Sequence, residues 1–247
     1  MFEDFMPKRK VGVLLPLPVI DNAAYEFYRI VPKDIMLVMI PIGLGEFSAK
    51  DVERVFAPID SLLDKLMERQ IDIVVQSGVP LPILIGLEAH DRLIAHMAKY
   101  TGKPATSTII GVVEAAKQLG LRRVALANKW SEPMNKTLSD FFARAGIGIA
   151  GVAAEVMSPA QFQKSSTSDS IELAYELGRA AFTKFPDADG LYIGGGAWLS
   201  QPVCEALERE FGKPTISNQS AQIWNILNLV GCWEPIPGHG KLLEMRA

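Results

Sequence analysis

DADGLYIGGGAWLS, residues 187–200, decides how the rest of the chain is read. Leu191-Tyr192-Ile193 is a short apolar run of buried-strand type, and it passes directly into Gly194-Gly195-Gly196 before a helical pattern sets in. Glycines leave the backbone bare. Bare amides at the C-terminal end of a strand, facing the start of a helix, form a nest that hydrogen-bonds an anion. The alternative is a flexible turn with no ligand. A second stretch of the same build favours the nest: IDIVVQSG, residues 71–78, is again a β-branched strand ending on a small residue and a glycine.

Outward from these two stretches, KVGVLLPL (10–17) and IMLVMIPI (35–42) are continuous apolar runs, as expected of parallel strands covered on both faces. Further strands are expected over 122–128, 147–154 and 213–217. Asp21 or Asn22 is placed to cap a short helix carrying Tyr25, Glu26 and Phe27. Ser48 is placed to cap one long amphipathic helix bearing Val52, Val55, Ile59, Leu62, Leu63 and Leu66. Other helices are expected at about 87–99, from Thr106-Ser107-Thr108 to Leu119, and at 131–145, 168–184 (entered through Ser168 or Asp169), 202–211 and 220–230. The tail from Glu234 reads as irregular and is expected to pack over the site.

Strict alternation of strand and helix specifies an α/β fold with parallel sheets and crossover helices. The order strand, helix, strand, helix, glycine-ended strand, helix, proline-led segment runs from residue 10 to 108 and again from 122 to 217. GKPATST at 102–108 and GKPTISN at 212–218 are the clearest echo. Two pseudo-symmetric Rossmann-like halves follow: residues 1–112 completed by 218–247, and residues 113–217. Their glycine-ended strands, at Gly78 and Gly195, are expected to face each other across a cleft that holds the active site.

The chain has 247 residues, 49% hydrophobic and 21% charged, with a formal net charge of -3. It is long enough to bury a substantial core. No run of five or more Lys or Arg supplies the footprint of a nucleic-acid binder. The charged start MFEDFMPKRK lacks the design of a secretory signal, and no stretch of about 18 apolar residues reads as a membrane span. A cytoplasmic protein is expected. Its partner is expected to be a small molecule, with a homo-oligomer left open and neither nucleic acid nor membrane implied. Cys204 and Cys232 form no CxxC pair and are read as two buried thiols rather than metal ligands.

The Pro16 strand end, Gly43-Leu44-Gly45, the Ser77-Gly78 turn, RRVALAN (122–128) followed by Trp130, DGLYIGGG (189–196) and PGHGKLL (237–243) together resemble the aspartate/glutamate racemase superfamily, within it the arylmalonate decarboxylase and maleate isomerase branch. The resemblance covers nearly the whole chain. It implies enediolate chemistry on a small carboxylate with no metal or organic cofactor, and cysteines that move the proton. The two family cysteine positions align with Gly78 and Gly195, so neither cysteine is present. Racemisation by two cysteines is therefore not expected. Asn22 resembles the asparagine that contacts a substrate carboxylate in the maleate isomerases. Trp130 stands where the decarboxylase has a tyrosine, Pro80 where the family has a hydroxyl residue, and His239 at a tyrosine of the decarboxylase tail.

Candidate groups follow from both readings. The anion cradle is expected from amides around Val79 and Gly194-Gly195-Gly196, the backbone of Gly43, Leu44 and Gly45, and the side chains of Ser77, Asn128 and Asn218. Asn128 and Asn218 also fit ordinary turn chemistry at strand ends. Val79, Leu81, Leu44 and Trp198 are candidates for an apolar pocket. Candidate proton carriers are Lys129, Glu26, Glu46 and His239: desolvation beside Trp130 could lower the Lys129 pKa, and histidine titrates in the useful range. An exposed loop lysine and a surface histidine are the plainer readings. His90 and His96 lie six apart on a helix, which is not the spacing of a metal pair. Two classes of function remain open: a cofactor-independent lyase or isomerase, with arylmalonate-decarboxylase-like decarboxylation foremost, and a carboxylate-binding protein without turnover. No GxGxxG opens the first helix, which leaves an NAD enzyme unsupported.

Overall fold

The computed structural model describes residues 6–19, 21–162, 164–195 and 198–246. The first half contains β1 (Arg9–Leu15), α1 (Asn22–Ile30), β2 (Ile35–Pro41), α2 (Ala49–Phe56), α3 (Ile59–Met67), β3 (Ile73–Gln76), α4 (Pro80–Ile85), α5 (Leu87–Thr101) and β4 (Ala105–Ser107). The chain continues through α6 (Thr108–Gln118), β5 (Arg123–Asn128), α7 (Glu132–Arg144), β6 (Gly148–Ala154), α8 (Pro159–Phe162), α9 (Thr167–Lys184), β7 (Gly190–Ile193), α10 (Gln201–Phe211), β8 (Thr215–Ser217) and α11 (Asn218–Leu229). A 3-10 turn at Lys241–Glu244 follows.

The strands form two four-stranded sheets in the orders β2-β1-β3-β4 and β6-β5-β7-β8, with every pairing parallel. Each order is the other's counterpart, strand for strand. The inner strands are buried on both faces, which is why their sequences read as unbroken apolar runs: β3 and β7 are buried at every residue.

Helices α6 and α11 pack together at the join of the two sheets. Gly111 permits this, because a Cβ there would lie 2.9 Å from the Ala221 carbonyl oxygen and 3.2 Å from the Asn225 Cβ. Side chains from both sheets and both helices, among them Val13, Ile109, Val112, Leu126, Ile223 and Ile226, then form one continuous core. A buried Thr106 hydroxyl donates to Asn225 Oδ1 at 2.7 Å and adds a polar tie between β4 and α11.

Several local expectations need correction. The helix foreseen as continuous from Ser48 breaks into α2 and α3 at Ala57-Pro58, since Pro58 has no amide to donate and its ring crowds the preceding turn. Ser48 does cap α2, accepting from the Asp51 amide. Asp21 rather than Asn22 caps α1, and Ser166 rather than Ser168 or Asp169 caps α9. The residues read as opening a helix at Thr106 first complete β4, and α6 begins at Thr108. Pro80, with its fixed φ, opens the unforeseen short helix α4. The tail does not cover the cleft: its Leu242 and Leu243 are buried in the core, and Met245 O accepts from the Trp224 indole at 2.7 Å.

Gly111→Ala should lower stability by ~1–3 kcal/mol, because the obstacle is rigid backbone of the facing helix rather than a movable side chain. Urea unfolding checks this, and an unchanged midpoint would contradict the close crossing of α6 and α11.

Candidate active site

The C-terminal ends of six strands converge on one cavity of about 90 Å³, several times the ~10–15 Å³ that a single water centre requires. Pro16 follows β1, Ser77 and Gly78 follow β3, Thr108 follows β4, Lys129 and Trp130 follow β5, Gly194 and Gly195 follow β7, and Asn218 follows β8. Parallel strands of one sheet end at the same side, so one topology delivers all these positions to one place. Asn22 and the exposed Asp21, at the start of α1, complete the rim, and Trp198 and Gln222 complete the wall.

Both glycine turns are closed by a matching hydrogen bond. The Gly78 amide donates to Thr108 Oγ1 at 2.9 Å, and the Gly195 amide donates to Asn218 Oδ1 at 3.1 Å. Thr108 and Asn218 are the last residues of the GKPATST and GKPTISN echo, so the repeat in sequence is a repeat in bonding. The Gly194 amide is also taken, by Ala127 O at 2.8 Å. The bare-amide nest expected at these turns is therefore occupied internally, and Gly196 lies outside the described residues.

Side chains take over as donors. Asn218 Oδ1 accepts both the Gly195 amide and the Tyr192 hydroxyl, which fixes the amide orientation and leaves Nδ2 as the donor end, with no partner among the described residues. Gln222 Oε1 accepts the Ser77 hydroxyl at 3.0 Å and the Thr108 hydroxyl at 2.6 Å, which likewise leaves its NH2 end to donate. Helices α6 and α11 start at cavity-lining residues, so the positive ends of two helix dipoles point there. Such surroundings favour an anion.

Lys129 is buried at 3% exposure, not the surface loop lysine of the plainer reading. Its ammonium nitrogen lies 4.2 Å from the centroid of a Trp198 ring. Burial lowers its pKa from 10.5 to about 8, with Glu155 acting weakly in the opposite direction. The turn that presents it is held rigidly: Asn128 Oδ1 accepts the Trp130 amide at 3.0 Å, Asn128 Nδ2 donates to Asn135 Oδ1 at 2.7 Å, and Asn135 Nδ2 donates to the carbonyls of Trp130 and Ser131. Asn128 thus follows its turn-chemistry reading and does not line the cavity.

Both glycine positions exclude a side chain. Gly78 has φ +82 and a Cβ there would meet the Pro16 ring at 2.8 Å; Gly195 has φ +133 and its Cβ would meet Trp198 Nε1 at 2.8 Å. A cysteine at Gly195 would therefore be strained in this backbone. Gly194 is fixed by packing, because the Trp130 ring lies 2.7 Å from where its Cβ would be.

Other candidates lie elsewhere. The Gly45 and Glu46 amides are held by Asp51 Oδ2, the Gly43 carbonyl accepts from Arg54, and Leu44 is buried with Leu81 beneath this loop. Val79 is core, at 0% exposure. Glu26 is buried outside the cavity lining, where Oε1 accepts the Gln201 amide at 3.0 Å and docks α1 onto the start of α10; desolvation pushes its pKa up to about 8. His239 is half-buried outside the lining, burial lowers its pKa, and its carbonyl accepts from Gln201 Nε2. Cys204 is fully buried with its thiol pKa pushed up by desolvation, whereas Cys232 is only half-buried. His90 accepts or donates at Ser107 Oγ from within the core, and His96 faces Asp60 at the surface. Among the described residues no group of three His, Cys, Asp or Glu is arranged to hold a metal, and no helix is long and apolar enough to cross a membrane. Thr108 and Gln222 were not foreseen as site residues. The echo that pairs Thr108 with Asn218 was the available signal.

The two buried ionisable groups give opposite pH signatures. The folded Glu26 carboxyl binds its proton more tightly than the unfolded one, so its contribution to stability is complete below pH 4.5 and is lost as pH rises to about 8. Folded Lys129 binds its proton less tightly, so stability rises from about pH 8 to 10.5. Thermal unfolding of Glu26→Gln at pH 8 should show a gain of ~1–3 kcal/mol that vanishes near pH 4, and Lys129→Met should gain by a similar amount at pH 7 but not at pH 10.5. Pairs of curves that stay parallel to wild type across these windows would contradict the burial of both charges.

Three comparisons with known proteins agree on the relationship. Residues 12–243 match the arylmalonate decarboxylase family. Arylmalonate decarboxylase of Bordetella bronchiseptica is 26% identical over 243 residues, 95% of this chain and 96% of that protein. The crystal structure of a liganded arylmalonate decarboxylase mutant, with one glycine changed to cysteine and one cysteine to serine, superposes with a TM-score of 0.85 at 24% identity, covering 95% of this chain and 98% of that one. A maleate cis-trans isomerase mutant from Nocardia farcinica, carrying a covalently bound succinylcysteine intermediate, shares the fold with a TM-score of 0.81 at 20% identity, over 97% of this chain and 99% of that one. With two parallel sheets in matching order and a site at their facing strand ends, this chain belongs to the arylmalonate decarboxylase family.

Proposed function

We propose that the protein is a lyase that decarboxylates a small carboxylic acid without an organic or metal cofactor, and that Lys129 supplies a positive charge and the proton for which the resemblance implies a thiol in relatives. The observation that carries this reading is a buried lysine among the residues that line the cavity, beside two glycine turns where a Cβ would meet the Pro16 and Trp198 rings; the resemblance puts the family's cysteines at these two turns. Loss of carbon dioxide leaves a carbanion whose charge spreads onto the remaining carboxylate. Asn218 Nδ2, the Gln222 amide and the two helix ends supply stabilisation to that charge. Trp198, Trp130 and Pro16 keep the cavity apolar beside the departing carboxylate, where desolvation favours its loss.

Decarboxylation is preferred to cis-trans isomerisation for a chemical reason. The maleate isomerase relative carries a succinylcysteine, a covalent bond that needs a thiol in the cavity. Here Cys204 is buried away from the cavity lining, and no thiol lines it among the described residues.

Carbon dioxide release from phenylmalonate and a series of alkyl and aryl malonates tests the proposal. Lys129→Met should reduce kcat by about 100-fold or more, while a Cys204→Ala, Cys232→Ala double variant retains activity if it folds. Turnover of malonates should fall as pH rises through about 8, where the ammonium loses its proton. Binding of these acids with no release of carbon dioxide would instead assign a carboxylate-binding protein.

A further inference from the structure

We propose that Lys129 is an imine-forming lysine and that the cavity accepts small 3-oxo acids, which would be decarboxylated through a covalent lysine adduct. This rests on the decarboxylase reading above and names a substrate class for it. The geometry carries three parts of the inference. Lys129 is the lining residue that carries a nucleophilic amine, and the described lining contains neither cysteine nor histidine. Its side chain is shielded from water, and the backbone turn that carries it is pinned through Asn128 and Asn135. The Trp198 ring centroid, 4.2 Å from the nitrogen, offers a π face to the positive charge of an iminium.

Lysine also suits a different substrate than a thiol does. A carboxylate is a poor partner for imine formation, whereas a ketone two bonds from the carboxylate carbon condenses with an amine and becomes a strong electron sink. Desolvation, which keeps part of the Lys129 population as neutral amine near neutral pH, supports the first step. Asp21, the acid among the described lining residues, is exposed at the rim, and Glu155 acts on Lys129 from the end of β6.

The steps balance with water and one proton. Neutral Nζ attacks the ketone carbon and the C–N bond forms; a proton is taken up, the C–O bond breaks and water leaves, giving the iminium, and this proton is returned when the iminium is hydrolysed. The bond to the carboxylate carbon then breaks, carbon dioxide departs, and its electron pair enters the iminium to give an enamine. A proton from solvent adds to the α-carbon. Water hydrolyses the regenerated iminium, which releases the ketone and the free amine. The water lost in the first step is consumed in the last.

The test is reductive trapping. The full-length protein is incubated with acetoacetate and sodium cyanoborohydride, and the modified peptide is identified by mass spectrometry. One adduct per chain is expected on Lys129, absent in Lys129→Arg and Lys129→Met. Both variants are checked for native circular dichroism, and Arg retains the charge without forming an imine. Acetoacetate decarboxylation should rise with pH towards about 8, the opposite limb to that expected for malonates. Adducts scattered over surface lysines, or equal labelling in Lys129→Arg, would overturn the proposal. Phenylmalonate turnover without trapping at Lys129 would overturn it while leaving the decarboxylase reading in place. Trapping at Lys129 without carbon dioxide release from any acid would support the imine site and reject the decarboxylase reading.

Discussion

Each glycine-ended strand of this protein is locked to the helix that opens beside it, β3 through Gly78 to Thr108 at the start of α6 and β7 through Gly195 to Asn218 at the start of α11. These two hydrogen bonds hold the remaining geometry. They satisfy amides that would otherwise be buried without partners, and they fix the backbone in left-handed and related conformations that tolerate only glycine. The same bonds orient the Asn218 amide and, through the Thr108 hydroxyl, the Gln222 amide. A chain of hydrogen bonds running from the Gly78 amide through Thr108 to Gln222, joined there by Ser77, makes the cavity wall a connected unit rather than a set of independent side chains. With these two main-chain amides taken, the donor ends left at the cavity wall are the side-chain amides of Asn218 and Gln222.

The charged groups near this frame are costly in isolation, and each is placed where its cost serves something. Glu26 spends its burial on docking α1, whose first turn forms the cavity rim, against the start of α10 in the other half. Lys129 sits where burial disfavours the ammonium more than Glu155 favours it, which makes its proton easier to give up. Trp198 links these effects. Its ring excludes a side chain at Gly195, lines the cavity and faces the lysine nitrogen. The bare Gly195 turn and the indole beside it are thus two sides of one steric fact.

The sheet architecture was legible because parallel strands buried on both faces write themselves as uninterrupted apolar runs, and the glycine ends of β3 and β7 marked the cleft side. Ser77, Gly78, Lys129, Trp130, Gly194, Gly195, Asn218, Pro16 and Asn22 are all brought to the cavity. Residues whose fate depends on long-range partners were not legible. Whether the Gly45 and Glu46 amides face a ligand depends on Asp51, and whether Glu26 reaches the cavity depends on Gln201, 175 residues away. Asn128 was ambiguous for the same reason, since its turn role requires Asn135 on the next helix. Burial of Lys129 could not be read from its own neighbours, because the ring that covers it comes from beyond β7.

Burial of Lys129 beside the cavity is what the proposed chemistry depends on. Direct titration of that side chain is the closest test: with 13C-labelled lysine and Lys129→Arg for assignment, the Lys129 ε-carbon resonance is followed from pH 6 to 11. The account predicts a midpoint near pH 8, well separated from the surface lysines. A midpoint near 10.5, merged with theirs, would contradict it.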